Sequence, residues 1–512
     1  MADAWDTIII GAGVGGLTAA AHLVKAGLRV LVLERNPHPG GTAYVYHRNG
    51  FTFPMGPLGF SQPNLVRDSL KDLQVGDAFK LSRVHYRIRA FGLDIPLSLP
   101  FPEMVKELRG LFPTDAQGLE HFFRSIEEMI LNPHQRSAIS ASEYLKGLIK
   151  DWRLRRILGS IGTRESYSGL PLLAAMWNLM CEEGIWYPID GMKSFCERLV
   201  KAVKRNFNHQ QDGKSKRENG GVGEIRLNKE VAKIRVKSGR VLGVTFKDGT
   251  QIDSDSVISN ADYKNTFLRL IGPEMVPREW YEAVSTAKQT GSVFQVCLGI
   301  DARKVDLSAF KEASRIIYRR DPKNSKEETL QWDAAEIDPE ALARQEIEVS
   351  LWDGDEKISS PEEKAVFVIR VEAEHSHFTR YRSVSNRRIS EYQEYKMRLG
   401  RALTHEIESL IPDLEKSIWV IDVATPLTFE DQGGRSEGAV AGWSWDYEDL
   451  RDDKPKELIR TPIKGLYMVG YQAFSALFMG GVPTAIESGR RAAQSVLDRT
   501  GPIEEISIPG KR

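Results

Sequence analysis

The sequence predicts an α/β fold: a Rossmann-like domain with a parallel sheet and a small antiparallel meander, joined to a second, discontinuous α+β domain. Three observations predict it. Residues 1–35 read as strand, glycine turn, helix and strand, which is one βαβ unit. A second strand-rich stretch, 223–260, returns far downstream. The chain has 512 residues, more than the roughly 250–300 at which a single core stops growing.

Thr7 to Ile10 is β-branched and apolar, Leu17 to Ala26 is rich in Ala and Leu and stops at Gly27, and Leu28 to Leu33 is a second apolar run ending in Glu34. From about Gly56 to Tyr187, amphipathic stretches are separated by prolines, which predicts a mostly helical insertion. Asn206 to Gly221 is polar and Gly/Lys/Asn-rich and reads as a surface loop. Strand pattern follows at 224–227, 231–236 and 240–246. An Asp248-Gly249 turn then leads to Ile252 and the run 257–259, a meander feeding back into the parallel sheet. Residues 321–345 are highly charged and read as an exposed excursion, and Gly465 to Gly470 is a last strand. Residues 1–75, 185–275 and 455–500 are therefore expected to form the nucleotide-binding domain. Residues 76–184 and 276–454 are expected to form the substrate domain, with 501–512 as a loose tail.

Seventy Lys plus Arg balance seventy Asp plus Glu, so the chain carries no electrostatic footprint for nucleic acid. Three cysteines without a CxxC spacing suit a reducing, cytoplasmic setting. The start of the chain has no basic region before its apolar run, and no window reaches the ~18 apolar residues of a membrane span. Contact with a membrane surface remains open.

Gly11-Ala12-Gly13-Val14-Gly15-Gly16 directly follows a strand and opens a helix, the context that a dinucleotide fingerprint requires. Gly11 permits the tight turn, Gly13 lets backbone approach a pyrophosphate, and Gly16 lets the helix pack on the sheet. Glu34, at the end of the second strand, is placed to accept from ribose hydroxyls and would repel a 2′-phosphate, which disfavours NADP. A second glycine pair in Arg35-Asn36-Pro37-His38-Pro39-Gly40-Gly41-Thr42 implies a larger cofactor with more backbone approaches.

These residues resemble the FAD-dependent phytoene desaturase, carotenoid isomerase and retinol saturase family, within the amine-oxidase-like flavoproteins. Phe51 to Pro57 is similar to its F-x-x-G-P stretch, with Gly56 and Pro57, and Trp186 to Met192 to its W-Y-P-x-G-G-M, with Asp190 at a usual glycine. The resemblance implies FAD as cofactor. It places Gly40, Gly41 and Thr42 on the flavin side of the pyrophosphate and the Val231 backbone at the adenine. Asn260 lies on the strand returning to the FAD domain, followed by Gly470 and a Gly480-Gly481-Val482 helix start aimed at the flavin. Many relatives carry Asp where this chain has Tyr471. The segment from Gly470 to Gly481 is also longer than usual and strongly apolar, so Tyr471, Phe478 and Met479 are expected between flavin and substrate.

Flavin chemistry on a C–C bond needs no Ser/His/Asp set, and Gly-x-Ser-x-Gly is absent. His375 and His377 share one face if they lie on a strand, a chelate spacing without an evident third ligand, so no metal is expected. The run 170–180 reads as the lining of a lipid tunnel or as an ordinary buried helix. Phe91 to Pro102 reads as a membrane-surface entry loop or a packed hairpin. Arg164, Glu165 and Tyr167 form a polar cluster beside a substrate path or a surface cap. Three functions compete. The first is an FAD oxidoreductase that desaturates, saturates or isomerises a long apolar, carotenoid- or isoprenoid-like substrate by hydride transfer with flavin N5. The second is a flavin amine oxidase with Trp443 and Trp445 in an aromatic cage. The third is a flavin-free escort protein that binds prenyl tails. The expected partner is an apolar small molecule or lipid, with possible peripheral contact to a membrane.

Overall fold

The computed structural model describes residues 5–131, 140–167, 169–205, 221–321, 330–352, 363–444, 457–474 and 481–502. Its first sheet carries five parallel segments in the spatial order Leu466–Met468, Gln251–Ser259, Trp5–Ile10, Arg29–Leu33 and Val222–Arg226. Ile8, Ile9, Val30 and Leu31 are fully buried, as expected of parallel strands covered on both faces. The strand Gln251–Ser259 serves two partnerships. Its first residues pair antiparallel with Arg240–Phe246 in the predicted meander, and its later ones run parallel to Trp5–Ile10 and Leu466–Met468. The helix Val14–Lys25 follows the glycine turn and packs against the C-terminal helix Gly481–Leu497. A Cβ at Gly489 would stand 2.6 Å from the Gly15 carbonyl oxygen, so the crossing is close enough to need glycine there.

The second sheet has seven strands in the order Ile418–Ala424, Ser292–Asp301, Lys364–Ala373, Ile347–Trp352, Arg315–Tyr318, Tyr86–Ala90 and Leu93–Pro96. All neighbours are antiparallel except Arg315–Tyr318 with Tyr86–Ala90. Phe294, Phe367, Ile369 and Val371 bury one face against the helix Glu391–Glu406. On the other face Val366 and Val368 meet Phe51 and Phe53 of the hairpin 45–54. Further along the same strands that face carries Gln295, Glu348 and Arg370 and looks into a cavity.

The structure corrects two expectations and decides between two readings of a third segment. Residues 56–187 are not simply helical, because Leu81–Val84 pairs with Ile185–Pro188 and the hairpin 86–96 joins the second sheet. Tyr86 to Ala90 buries alternate residues, Ile88 and Ala90, and the hairpin closes through Phe91 and Gly92, both at positive φ (59° and 70°). Such a turn is normally signalled by Asn-Gly, and Phe conceals it. Second, Phe91, Ile95, Leu97 and Phe101 are buried in a core shared with the helices Phe101–Leu111 and Ala116–Leu131, so Phe91 to Pro102 is a packed hairpin and its exit, not an entry loop. Third, within 330–345, Ile337, Leu342 and Ala343 are buried in the second domain's core, so this charged stretch is not simply an exposed excursion. The expected loop at 206–220 and the tail beyond 502 lie outside the described residues. No helix among the described residues is long and apolar enough to cross a membrane.

His22, on the helix Val14–Lys25, is a local determinant of acid stability. Burial pulls its pKa down to about 4, against the raising effect of Asp72, whose Oδ2 lies 3.6 Å from Nδ1. The unfolded chain takes up this proton below about pH 6.5, while the folded one resists until about pH 4. The stabilisation is therefore complete above pH 6.5 and is lost as pH falls toward 4. Between about pH 7.5 and about pH 4.5, denaturant titrations should show the wild type losing about 2–3 kcal/mol more than His22→Leu. Equal losses would show that His22 takes up its proton in the native protein at its ordinary value.

Candidate functional site

The first strand ends at Ile10, and the next residues are tied on all sides by backbone. Gly11 N–H donates to the Leu33 carbonyl (2.8 Å), Gly40 N–H to Ala12 (2.7 Å), Asn260 N–H to Ile10 (2.8 Å) and Val469 N–H to Ser259 (2.9 Å). These bonds bring Gly11–Gly16, Gly40–Gly41, Asn260 and Gly470 together at the C-terminal ends of the parallel strands, where ligands of open α/β sheets bind.

The Asn260 side chain explains much of the glycine pattern. A Cβ at Gly13 would stand 2.5 Å from its Nδ2, one at Gly15 2.8 Å from its Oδ1, and one at Gly470 2.9 Å from the same oxygen. Gly13 is therefore required by a neighbouring side chain, where the sequence suggested only the approach of a pyrophosphate. Gly16 has the expected role, since a Cβ there would run into the Gly11 carbonyl and crowd Ile9. At Gly56 a Cβ would lie 2.7 Å from the Thr42 carbonyl oxygen, which packs the Met55-Gly56-Pro57 turn onto the second glycine pair.

Glu34 is 4% exposed. Its two carboxylate oxygens accept the Ala12 and Asn36 N–H groups, each at 2.8 Å, so it braces the glycine turn from the end of the second strand. It also lines the cavity, with Val231 nearby, because Lys229 N–H bonds the Glu34 carbonyl (2.7 Å). Arg35 also lines the cavity and donates to the carbonyl of Gln432 (2.9 Å).

Tyr471, expected near the substrate, lies on the cavity wall, in a polar group whose other members the sequence did not reveal. The Tyr471 hydroxyl donates to Asp262 (3.0 Å), which also accepts from the Ser436 N–H and hydroxyl, both close. The Arg435 guanidinium stacks on the Tyr471 ring at 4.7 Å and donates to the Thr42 hydroxyl (2.8 Å) and the carbonyls of Ala439 and Val440. Burial raises the Tyr471 pKa well above the phenol range, assisted by Asp262, and burial lowers that of Arg435. Tyr471 therefore remains a neutral donor. Nothing adjacent in the sequence links 42, 262, 435 and 471.

All these groups line one cavity of about 1860 Å³. That exceeds the ~300–1000 Å³ of an ordinary small-molecule pocket and leaves room for a dinucleotide with a second molecule. Its far wall is the run singled out in the sequence, folded as the helix Leu170–Asn178 and a π-helical turn, Leu179–Glu183. Leu172, Met176, Leu179 and Met180 face the cavity, while Leu170, Leu173 and Trp177 fill the core behind, so the run is a buried helix with one face on the cavity. Arg164, Glu165 and Tyr167 also line the cavity. Arg164 pairs with Glu346 (2.8 Å) and Glu372 (3.2 Å), and Glu165, largely exposed, with Arg156 (2.6 Å).

His375 and His377 lie on a short helix, His375–Thr379, not on a strand, and they diverge. His375 meets Glu430 (3.0 Å), and His377 is fully buried between the Trp332 carbonyl and the Tyr395 hydroxyl. Trp443 is buried against Tyr263 and does not line the cavity, so it is no member of an amine cage. Trp445, Phe478, Met479 and Gly480 lie outside the described residues. Gly481, Val482 and Ala485 border the cavity from the first turn of the C-terminal helix.

A profile of flavin-containing amine oxidoreductases matches residues 14–368. The chain belongs to this family. It is 24% identical to prolycopene isomerase 1 of an Oncidium hybrid over 99% of this chain and 87% of that protein. It is 27% identical to the lycopene-forming phytoene desaturase of Pseudescherichia vulneris over 58% of this chain and 63% of that protein. A solved putrescine oxidase superposes with a TM-score of 0.58 at 16% identity, covering 97% of this chain and 99% of that one, which is a likeness of fold.

The cofactor of this flavoprotein is FAD, and the residues present fit it. The glycine turn exposes backbone N–H groups at a helix start, and Glu34 stands at the end of the second strand. A Cβ at Gly481 would meet nothing within 4 Å, so the second helix start is also open.

Two outcomes follow. Gly13→Ala should lose flavin through the clash with Asn260, an overpacking cost of about 1–3 kcal/mol, and Asn260→Gly should restore part of the flavin content in the double variant. A double variant as empty as Gly13→Ala would mean that the Gly13 constraint lies elsewhere. Glu34→Ala leaves the buried Ala12 N–H without its acceptor, so it should lower the stability of the flavin-stripped protein by about 1–3 kcal/mol as well as weaken FAD. Unchanged thermal unfolding of the stripped variant would show that the carboxylate serves the ribose alone.

Proposed function

We propose that the protein is an FAD-dependent oxidoreductase acting on C–C or C=C bonds of a long apolar, isoprenoid-like substrate. The observation that carries this reading is the stripe Leu172, Met176, Leu179 and Met180, which gives the cofactor cavity an apolar wall. The carotenoid-handling relatives, an isomerase and a desaturase, support the same kind of substrate. The flavin amine oxidase reading shares the fold and is separated by the test below. The escort reading loses its premise in a flavoprotein.

Bound FAD supplies hydride transfer at N5. The protein's part is to hold, orient and exclude water. Arg435 and Thr42 bring donors beside the second glycine pair, and Asp262 fixes the Tyr471 ring and hydroxyl on the cavity wall. The apolar stripe orders the substrate and keeps its reacting carbons dry. An apolar substrate is sparingly soluble, and we place its delivery at a membrane surface. Leu111, Leu131 and Trp152, exposed on the helical part of the substrate domain, support that placement.

The test is anaerobic. A polyene in detergent micelles should bleach the flavin band near ~450 nm, whereas cyclohexylamine and putrescine should not. Bleaching by an amine alone would transfer the protein to the amine oxidases. Met176→Asp should keep its flavin and lose polyene turnover by at least tenfold, about 1.4 kcal/mol, because it places an unpaired charge in a desolvated wall. Parallel loss of flavin and turnover would remove that wall from the substrate path.

A further inference from the structure

Where the second sheet meets the cavity, its polar face holds two guanidinium groups and one carboxylate. Arg370 donates from Nε to Gln295 (2.8 Å) and from Nη2 to the Gly56 carbonyl (2.6 Å). Arg315, 6% exposed, donates to the Leu58 carbonyl and the Tyr86 hydroxyl. Glu348 stands opposite Arg370 on the adjacent strand, and it raises the pKa that desolvation lowers. No carboxylate among the described residues lies within ion-pair distance of either arginine. The next acids along the two strands, Glu346 and Glu372, are already engaged by Arg164. The cluster is therefore one positive charge in excess. Tyr86, Glu348 and Arg370 reach the cavity.

This charge adjoins the apolar stripe. Gly59 and Ile185 line the cavity with Met180, and a Cβ at Gly59 would stand 3.6 Å from Arg315 Nη2 and in collision with the Ile185 side chain. From Leu172 to Met180 the helical wall runs for roughly 12 Å. A pure hydrocarbon in this space would cover Arg370 and give it nothing in return, at the cost of desolvating a charge. An amphiphile satisfies both walls.

Resting on the reading of the cavity as the site of a long apolar substrate, we propose that Arg370 is the core of an anion subsite and that the substrate carries a carboxylate. The carboxylate meets Arg370 and Tyr86 where they reach the cavity, with Gln295 and Arg315 buried behind them, and the chain lies along Leu172, Met176, Leu179 and Met180. Glu348 sets the strength of the subsite by partly neutralising it.

The test is calorimetric titration of the FAD-loaded protein with dodecanoate and with dodecanol, which share a chain and differ in charge. Dodecanoate should bind at least about tenfold more tightly, the scale of a charge-assisted hydrogen bond. Arg370→Met should abolish the preference and leave dodecanol affinity unchanged, Arg370→Lys should keep part of it, and Glu348→Gln should tighten dodecanoate severalfold. Should Arg370→Met fail to fold, Glu348→Gln decides: an unchanged dodecanoate affinity overturns the subsite. Equal affinities in the wild type, or a preference that survives in Arg370→Met, overturn it too. Survival of the preference with a shifted flavin potential would assign the charge to the cofactor. Dodecanol binding without a carboxylate preference removes only the anion subsite, whereas binding of neither ligand removes the apolar site with it.

Discussion

The carboxamide of Asn260 stands where Gly13, Gly15 and Gly470 converge, and the glycine turn and the last strand can approach the returning strand there only because those three positions carry no Cβ. Its backbone extends the strand Gln251–Ser259 by one bond to Ile10, and its side chain then occupies the space that the glycines leave. A wedge of this kind sets the distance between the first strand's turn, the returning strand and the last strand. Glu34 braces the same turn from the other side through Ala12. The opening left beside the glycine turn is thus the remainder of a packing problem solved within the protein.

The cavity beyond is asymmetric because its two walls come from different kinds of structure. On a helix, residues at 172, 176, 179 and 180 share a face, so the apolar run 170–177 can pack the core with one face and border the cavity with the other. On a sheet, alternation allows one strand to send Phe367 and Ile369 into a hydrophobic core and Arg370 and Glu372 into the cavity. The polar wall therefore costs the fold nothing in core packing. It also keeps the charges near donors and acceptors fixed by the ladder.

Tyr471 illustrates how a polar side chain is accommodated on the cavity wall. Here the phenol is neutral, held by Asp262 from the returning strand and covered by Arg435 from a distant loop. Acid, base and ring are present at the same wall, drawn from three segments.

The nucleotide end was largely legible in the sequence. The β-branched strand, the glycine turn, the helix and Glu34 are consecutive, and local sterics alone dictate a βαβ unit from them. The apolar run 170–180 was legible as apolar, but periodicity records that a face is buried and not against what, so its division between core and cavity was not. The hairpin 86–96 was not legible, because Phe91 occupies a turn position usually marked by Asn or Gly. The two histidines misled because their spacing fits a strand, whereas the chain turns helical directly after Ala373. Composition, spacing and short-range conformational preference thus determined the class of the fold, the cofactor turn and an apolar segment. Tertiary structure alone decided that Asn260 accounts for the glycines, that Arg435 and Asp262 answer Tyr471, and that Arg315, Arg370 and Glu348 form one cluster. The reason is physical: these contacts join residues far apart in the chain, and their energies arise from burial and charge that exist only once both sheets have closed around the cavity.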